Sequence, residues 1–422
     1  MITGYADRNH RQLHVAAHTA MSNTMPQILL ILLAFCEKNI VRYAILVFSM
    51  LPGVGFLSEF ILPTLYISLI LLSVKSNAKV GLYEFAVPIF MVFAIVLSCI
   101  IYPQNEKYII DSNNFWNTIF PCLRWYIVGL IIVPDRAAMD LLGKVSCMAV
   151  AVETAFLILY MIPNGLVVSD DMSRAYQLLP NIMLVFNYAF NSKKIFAWIF
   201  SLIGLLYLLS LGTRGPFLIL IAYVVIKLLR SSGGSTSQSK KILSILGIGV
   251  VGVGISIPTV RLVLLKSLRQ VVEWTGLSTR VVDFMLDGSL VSYTSGRENL
   301  YEVALQKIQE RPLLGYGIYG EWQWFGWNVH NMYLELWVHF GIILGSVLLI
   351  WCIALVAKSY FKTNSSDSKD LISIFSCFVF LRGIFGGSYL MYGMFFLIAL
   401  CIREKRRINS RQFEVERRAE RI

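Results

Sequence analysis

The residues best suited to chemistry lie in three short stretches. In Gly212-Thr213-Arg214-Gly215, Arg214 stands at the junction of two strongly apolar runs. An arginine there is costly unless it faces a cavity or an anion, or snorkels from a tight helical turn. In Ser295-Gly296-Arg297-Glu298, Ser295 and Glu298 have capping-box spacing, so a helix is predicted to open here and run to Arg311, stopped by Pro312. Leu300, Ala304 and Ile308 give it an apolar stripe. Arg297 then falls in the first turn, where the helix dipole disfavours a cation. A bound anion such as phosphate would reverse that preference; the alternative is an arginine turned to solvent or paired with a nearby acid. The third stretch is Val329-His330-Asn331-Met332-Tyr333-Leu334-Glu335, after the Gly-rich turn from Pro312 to Gly317. His330 is predicted near a helix start, where an imidazole can take a proton from a hydroxyl, although a single histidine is as readily structural. Between them, Glu321–Trp327 holds three tryptophans and a phenylalanine, suited to a carbohydrate surface or to an interfacial belt.

The elements that position these residues are apolar. Of 422 residues 57% are hydrophobic and only 15% charged, with mean hydropathy +0.66. One soluble core could not cover so much apolar surface. Candidate spans fall near 43–58, 60–74, 85–102, 118–133, 145–163, 178–191, 194–212, 215–229, 241–258, 342–357, 371–384 and 386–402, with 25–36 either a span or an interfacial helix. The expected fold is an all-α polytopic membrane protein of about twelve transmembrane helices. Every second loop is basic: Lys75 and Lys79, Arg136 and Lys144, Lys193 and Lys194, Lys227 to Lys241, Lys358 and Lys362. The positive-inside rule puts these loops in the cytoplasm and the three stretches outside. The predicted organisation is a cytoplasmic tail (1–24), an N-terminal transmembrane bundle (25–258), a long extracytoplasmic loop with short helices (259–340), C-terminal transmembrane helices (341–402) and a basic cytoplasmic tail (403–422). Residues 259–328 hold seven basic and seven acidic side chains, which marks an ordered subdomain.

Other chemistries find little support. No ligand-type spacing of His, Cys or carboxylates stands out, so no metal and no cofactor is expected. No Gly-Lys-Ser/Thr phosphate loop and no Gly-x-Ser-x-Gly elbow is present. The seven cysteines lie in or beside apolar runs and read as small buried hydrophobes. The net charge of +12 is unevenly spread, with eight basic and four acidic residues after Ile402 and Arg8 and Arg11 near the start, which suits anionic lipid and not nucleic acid. The first apolar run is followed by Glu37 and Lys38, not by a signal-peptide cleavage site.

On these residues the chain resembles the O-antigen polymerase / O-antigen ligase family of bacterial envelope proteins. Gly-Arg, an amphipathic helix, RPLLGYGIYG, HNMYLELW and HFGIILG follow in the family's order over 295–344, with SLGTRGPFL at 210–218 and, more weakly, SRAYQLLPN at 173–181. The resemblance implies a GT-C-like glycosyltransferase in the bacterial inner membrane, with its active site on the periplasmic face. The donor would be an undecaprenyl-diphosphate-linked oligosaccharide and the transfer metal-independent and inverting. Arg214 and Arg297 match the family's pyrophosphate-binding arginines, and His330 its essential histidine. Arg174 and Arg280 are further donor-binding candidates, with Arg280 alternatively paired to Asp283. Asn331, Tyr333 and Glu335 are substrate-binding candidates beside the histidine, and Glu335 is also a candidate for orienting it. A chain-length regulator is a partner of such polymerases.

Polymerase and ligase share the donor chemistry, so the motifs do not separate them. The segment RGIFGGSYLMYG (382–393) and the irregular short spans favour a polymerase, which extends the next lipid-linked unit; a ligase would use lipid A–core. A transporter or flippase of lipid-linked oligosaccharide is the alternative from another class. It should show repeated halves and mid-span charges. Arg124 is a candidate mid-span charge and Arg382 another near a span end, and no matching halves are visible.

Overall fold

The computed structural model describes residues 82–110, 118–161, 172–211, 213–230 and 298–419, short stretches at 28–30, 33–35 and 64–72, and scattered positions between 262 and 283. Every regular element among them is helical. In chain order these are α1 (Ala86–Ile101), α2 (Glu106–Ile109), α3 (Phe120–Ile131), α4 (Arg136–Phe156), α5 (Met172–Ser192), α6 (Ile195–Ser210), α7 (Arg214–Arg230), α8 (Glu298–Glu310), α9 (Trp322–Phe325), α10 (Met332–Lys362), α11 (Ser366–Ser376), α12 (Arg382–Phe385) and α13 (Tyr392–Ala419).

Local chemistry sets several boundaries. Asp135 caps α4 by accepting from Ala138 N at 2.8 Å, and Ser365 caps α11 through Ser368 N at 3.2 Å. The helices then close on an aromatic core in which Phe35, Trp125, Phe375 and Phe396 meet edge to face or tilted, the last two rings 4.2 Å apart. The opposite faces stay apolar and uncovered: Ile89, Phe93, Val96 and Ile100 on α1, and Ile195, Ile199 and Leu202 on α6. Such surfaces suit lipid, not water.

The expected number of spans is not reached among the described residues. Arg136–Tyr160 and Met332–Lys362 are long and apolar enough to cross a bilayer, and Ala86–Ile101 with Pro103–Ile109 makes a third candidate bent by 114°. The helices α3 and α6 have only 12 and 16 residues. The runs at 43–58 and 241–258 lie outside the described residues.

The bundle has two distinct ends. One gathers the basic loops: Lys227 and Arg230 reach Asp370 at 2.6 and 2.8 Å, and Asn191 donates to the same carboxylate at 3.0 Å. Arg406 reaches Glu84 at 2.8 Å, and Arg403 donates to Ile131 O at 2.8 Å. The start of the basic tail is therefore bound into the bundle as a continuation of α13 and does not simply face lipid. The other end, called here the loop end, carries α2, the starts of α5, α7 and α10, and the segment from α8 to α9.

Candidate functional site

The Gly-rich segment after α8 is fastened on two sides. Within α10, Gly341 has φ 73° and ψ 171°, which breaks the helix. A Cβ there would lie 2.2 Å from Leu313 O, so only glycine fits. The break leaves carbonyls without helical partners, and the loop supplies them: Tyr316 N donates to Val338 O at 2.8 Å and Gly317 N to His339 O at 3.0 Å, while Ile342 N donates to Pro312 O at 2.7 Å. From the other side, Asn105 Nδ2 donates to Tyr316 O and Ile318 O at 2.8 and 3.1 Å, and Ile318 N donates to Ser98 Oγ at 2.8 Å. The predicted helix is α8, ending at Glu310. Ala304 and Ile308 of its stripe are buried against Val329 and Val338, beneath the third stretch. Ser295 to Arg297, the predicted cap, lie outside the described residues.

Titratable groups on this segment follow their contacts. Lys307 and Tyr316 donate to Glu310 at 2.7 and 3.0 Å, which holds its carboxyl below the ordinary glutamate value. Burial, with Glu310 adding to it, pushes the Tyr316 phenol up, and burial does the same to Tyr319. The tryptophans divide by role. Trp324 packs edge-on to Tyr316, with ring centroids 4.6 Å apart, and Trp322 Nε1 donates to Asn328, whereas Trp327 is 55% exposed.

His330 is half-buried, with φ 59° in the left-handed region, immediately before the α10 cap. Asn331 Oδ1 accepts from Tyr333 N and Leu334 N at 3.0 and 3.2 Å, and Tyr301 Oη donates to His330 O at 3.4 Å. Tyr333 Oη donates to Phe380 O at 3.0 Å. Glu335, 1% exposed, accepts from Ser388 Oγ at 2.7 Å and Tyr389 N at 3.3 Å. It also lies beside the His339 imidazole. Asn331 thus caps the helix behind the His330 turn, while Tyr333 and Glu335 tie that helix to the segment 380–389.

Arg214 opens α7. The next residue, Gly215, approaches so closely that a Cβ would lie 2.1 Å from Tyr176 Oη and 3.1 Å from Phe385 Cβ. Gly383 likewise sits against Met332, at 2.9 Å for a built Cβ. The starts of α5, α7 and α10 therefore meet around α12, with Arg214 and His330 one and two residues from the contacts. Arg174, in the first turn of α5, lies over the Phe156 ring at 5.3 Å. Arg280 lies outside the described residues; Asp283, its suggested partner, is paired with Arg269 at 2.7 Å.

A cluster unforeseen in the sequence lies beneath. Glu321, Glu335 and His339 bring one ligand atom each within 4.8 Å of one another, all buried. His339 Nε2 bonds to Glu321 Oε2, and Nδ1 lies 2.7 Å from Tyr389 Oη. This donor set could hold a divalent cation, with Tyr389 orienting the imidazole. It corrects the expectation that no ligand-type grouping would form. The signal was present in part, because Glu335 and His339 are four apart on one helix face.

Among the described residues the architecture is all-helical and apolar, with Arg214 and His330 at the starts of two helices that come together at one end. Residues 199–352 match the family model described as O-antigen ligase (Wzy_C), a stretch that includes Arg214, Arg297 and His330. The resemblance to the O-antigen polymerase / ligase family is borne out there. Members of that family are glycosyltransferase-like enzymes acting on lipid-linked oligosaccharides at the inner membrane. No curated protein matches the chain.

Proposed function

We propose that the chain is a polysaccharide polymerase of the O-antigen or capsule type. It transfers a growing glycan from undecaprenyl diphosphate onto the next lipid-linked repeat unit, on the periplasmic face. The observation that carries this reading is the family match over 199–352, which holds both arginines and the histidine. The contacts at Gly215 and Gly383, which draw the starts of α7 and α10 together, are consistent with it.

The acceptor hydroxyl attacks the anomeric carbon from the face opposite the diphosphate, with inversion. The bond from that carbon to the phosphate oxygen breaks, and the lipid diphosphate leaves with the electron pair. His330 takes the hydroxyl proton. Negative charge grows on the diphosphate as the bond opens, and Arg214 and Arg297 stabilise it in place of a divalent cation. Arg174 and Arg280 assist donor binding. The ligase reading, transfer to lipid A–core, is kept because the matching family is described as O-antigen ligase.

The test uses full-length protein in detergent, a synthetic lipid-diphosphate repeat unit as sole substrate, and chelator. A ladder of regular steps, lost in His330→Ala and Arg297→Ala proteins that still fold, supports the polymerase. Transfer only after lipid A–core is added means ligase. Silence with both acceptors overturns the enzymatic reading, and a ladder abolished by chelator redirects attention to Glu321, Glu335 and His339.

A further inference from the structure

We propose that Arg382 is a further anion-binding residue of this site and holds the diphosphate of the lipid-linked donor. The inference rests on the donor chemistry proposed above. Arg382 lies outside the stretch that matches the family, so it does not come from that comparison.

Among the described residues, four basic side chains of the bundle have evident partners. Lys227 and Arg230 share Asp370, Arg406 holds Glu84, and Arg403 holds a backbone carbonyl. Arg382 differs. Its Nε is buried without a hydrogen-bond partner, and no described carboxylate pairs with it. Its guanidinium stacks on Tyr176 at 4.6 Å and on Phe378 at 5.3 Å. Ring contacts engage the faces of a guanidinium, whereas its five N–H donors lie in the plane. An arginine kept in this condition within an apolar bundle is expensive, and an anionic ligand would offset the expense.

Position identifies the anion. The Tyr176 ring that carries Arg382 reaches Gly215, the residue after Arg214, and the residue after Arg382, Gly383, packs on Met332, two beyond His330. Arg382 therefore stands between the two parts of the proposed site. Its backbone is also fixed. Gly386, with φ 136°, ends the short helix, and Gly387 N donates to Arg382 O at 2.7 Å. Were the arginine only a packing element on two rings, any long side chain of similar volume would replace it without altering affinity for an anion.

The experiment measures binding of geranylgeranyl diphosphate, geranylgeraniol and inorganic pyrophosphate to full-length protein in detergent, for wild type, Arg382→Gln and Arg382→Lys. Arg382→Gln should weaken binding of the lipid diphosphate by roughly 10–100-fold, the loss of a charge-assisted hydrogen bond. Arg382→Lys should recover part of that affinity. The lipid alcohol should be insensitive to every variant. Equal affinity of wild type and Arg382→Gln for the diphosphate overturns the inference and leaves the proposed function standing. Failure of wild type to bind any diphosphate overturns both. An effect on inorganic pyrophosphate alone overturns the assignment to the lipid-linked donor. Should Arg382→Gln fail to fold, the affinity of Arg382→Lys decides: a wild-type value sinks the inference, because an ammonium cannot reproduce planar, multidentate contact.

Discussion

Replacing Asp370 by alanine removes the anion that Lys227 and Arg230 share. The carboxylate side chain is 1% exposed, as against 8% for Lys227 and 21% for Arg230. Arg230 can turn toward water and keep its bond to Ser366 O at 2.7 Å, so its share of the loss is small. Lys227 has no such outlet, and it would be left beside Arg230 as a buried cation. Breaking a buried pair from one side costs about 3–5 kcal/mol, a fall of roughly a hundred- to a few-thousand-fold in the folded-to-unfolded ratio. Removing both charges with Lys227→Met and Asp370→Leu should recover most of it, leaving a coupling of about 2 kcal/mol or more between the positions. The assay is unfolding by SDS titration in mixed micelles, followed by helicity, alongside polymer synthesis by the same preparations. A single variant within about 0.5 kcal/mol of wild type, or a double variant no better than the single, would refute the reasoning. A double variant that is stable but makes no product would show that the pair serves function.

Two further substitutions probe the loop end. Gly341→Ala forces φ 73° on a residue with a Cβ that Leu313 O leaves no room for; the backbone strain alone amounts to about 1–3 kcal/mol. Hydrogen exchange should show Tyr316 and Gly317 amides losing protection, and unchanged protection would mean the loop does not depend on the break. His339→Ala strips Glu321 and Tyr389 of their buried partner and should lower stability by about 1–3 kcal/mol in the same titration. Elemental analysis of purified wild type and this variant would reveal whether a cation takes part; stability equal to wild type would show the cluster to be dispensable.

What could be read from the sequence was set by short-range rules. Pro312 and the apolar stripe defined α8, and Gly212 to Gly215 marked the break between α6 and α7, because caps, breakers and periodicity act over a few residues. The hydropathy window began a span at 342, but it could not show that the preceding turns from Met332 belong to the same broken helix, since His339 and Glu335 look polar until Glu321, Ser388 and Tyr389 are seen to satisfy them. The grouping of Glu335 with His339, one helical turn on, and with Glu321 needed the loop to fold back on the helix. The Asp370 network joins residues 143 positions apart, and Arg406 meets Glu84 across 322. Pairings at that range leave no local mark, so lysines that also serve as topological signals and arginines of an apparently solvated tail gave no hint of internal partners.

The break at Gly341 has a consequence for the order in which the chain is made. Residues 312–317 leave the ribosome before 338–342, so the amides of Tyr316 and Gly317 exist for a time without the carbonyls that later receive them. Lipid offers no substitute acceptor. The segment must therefore stay hydrated until the helix behind it arrives, and insertion of the later helix completes the earlier loop. In a chain this apolar, the loop is assembled backwards, with the later-made helix closing the earlier-made segment.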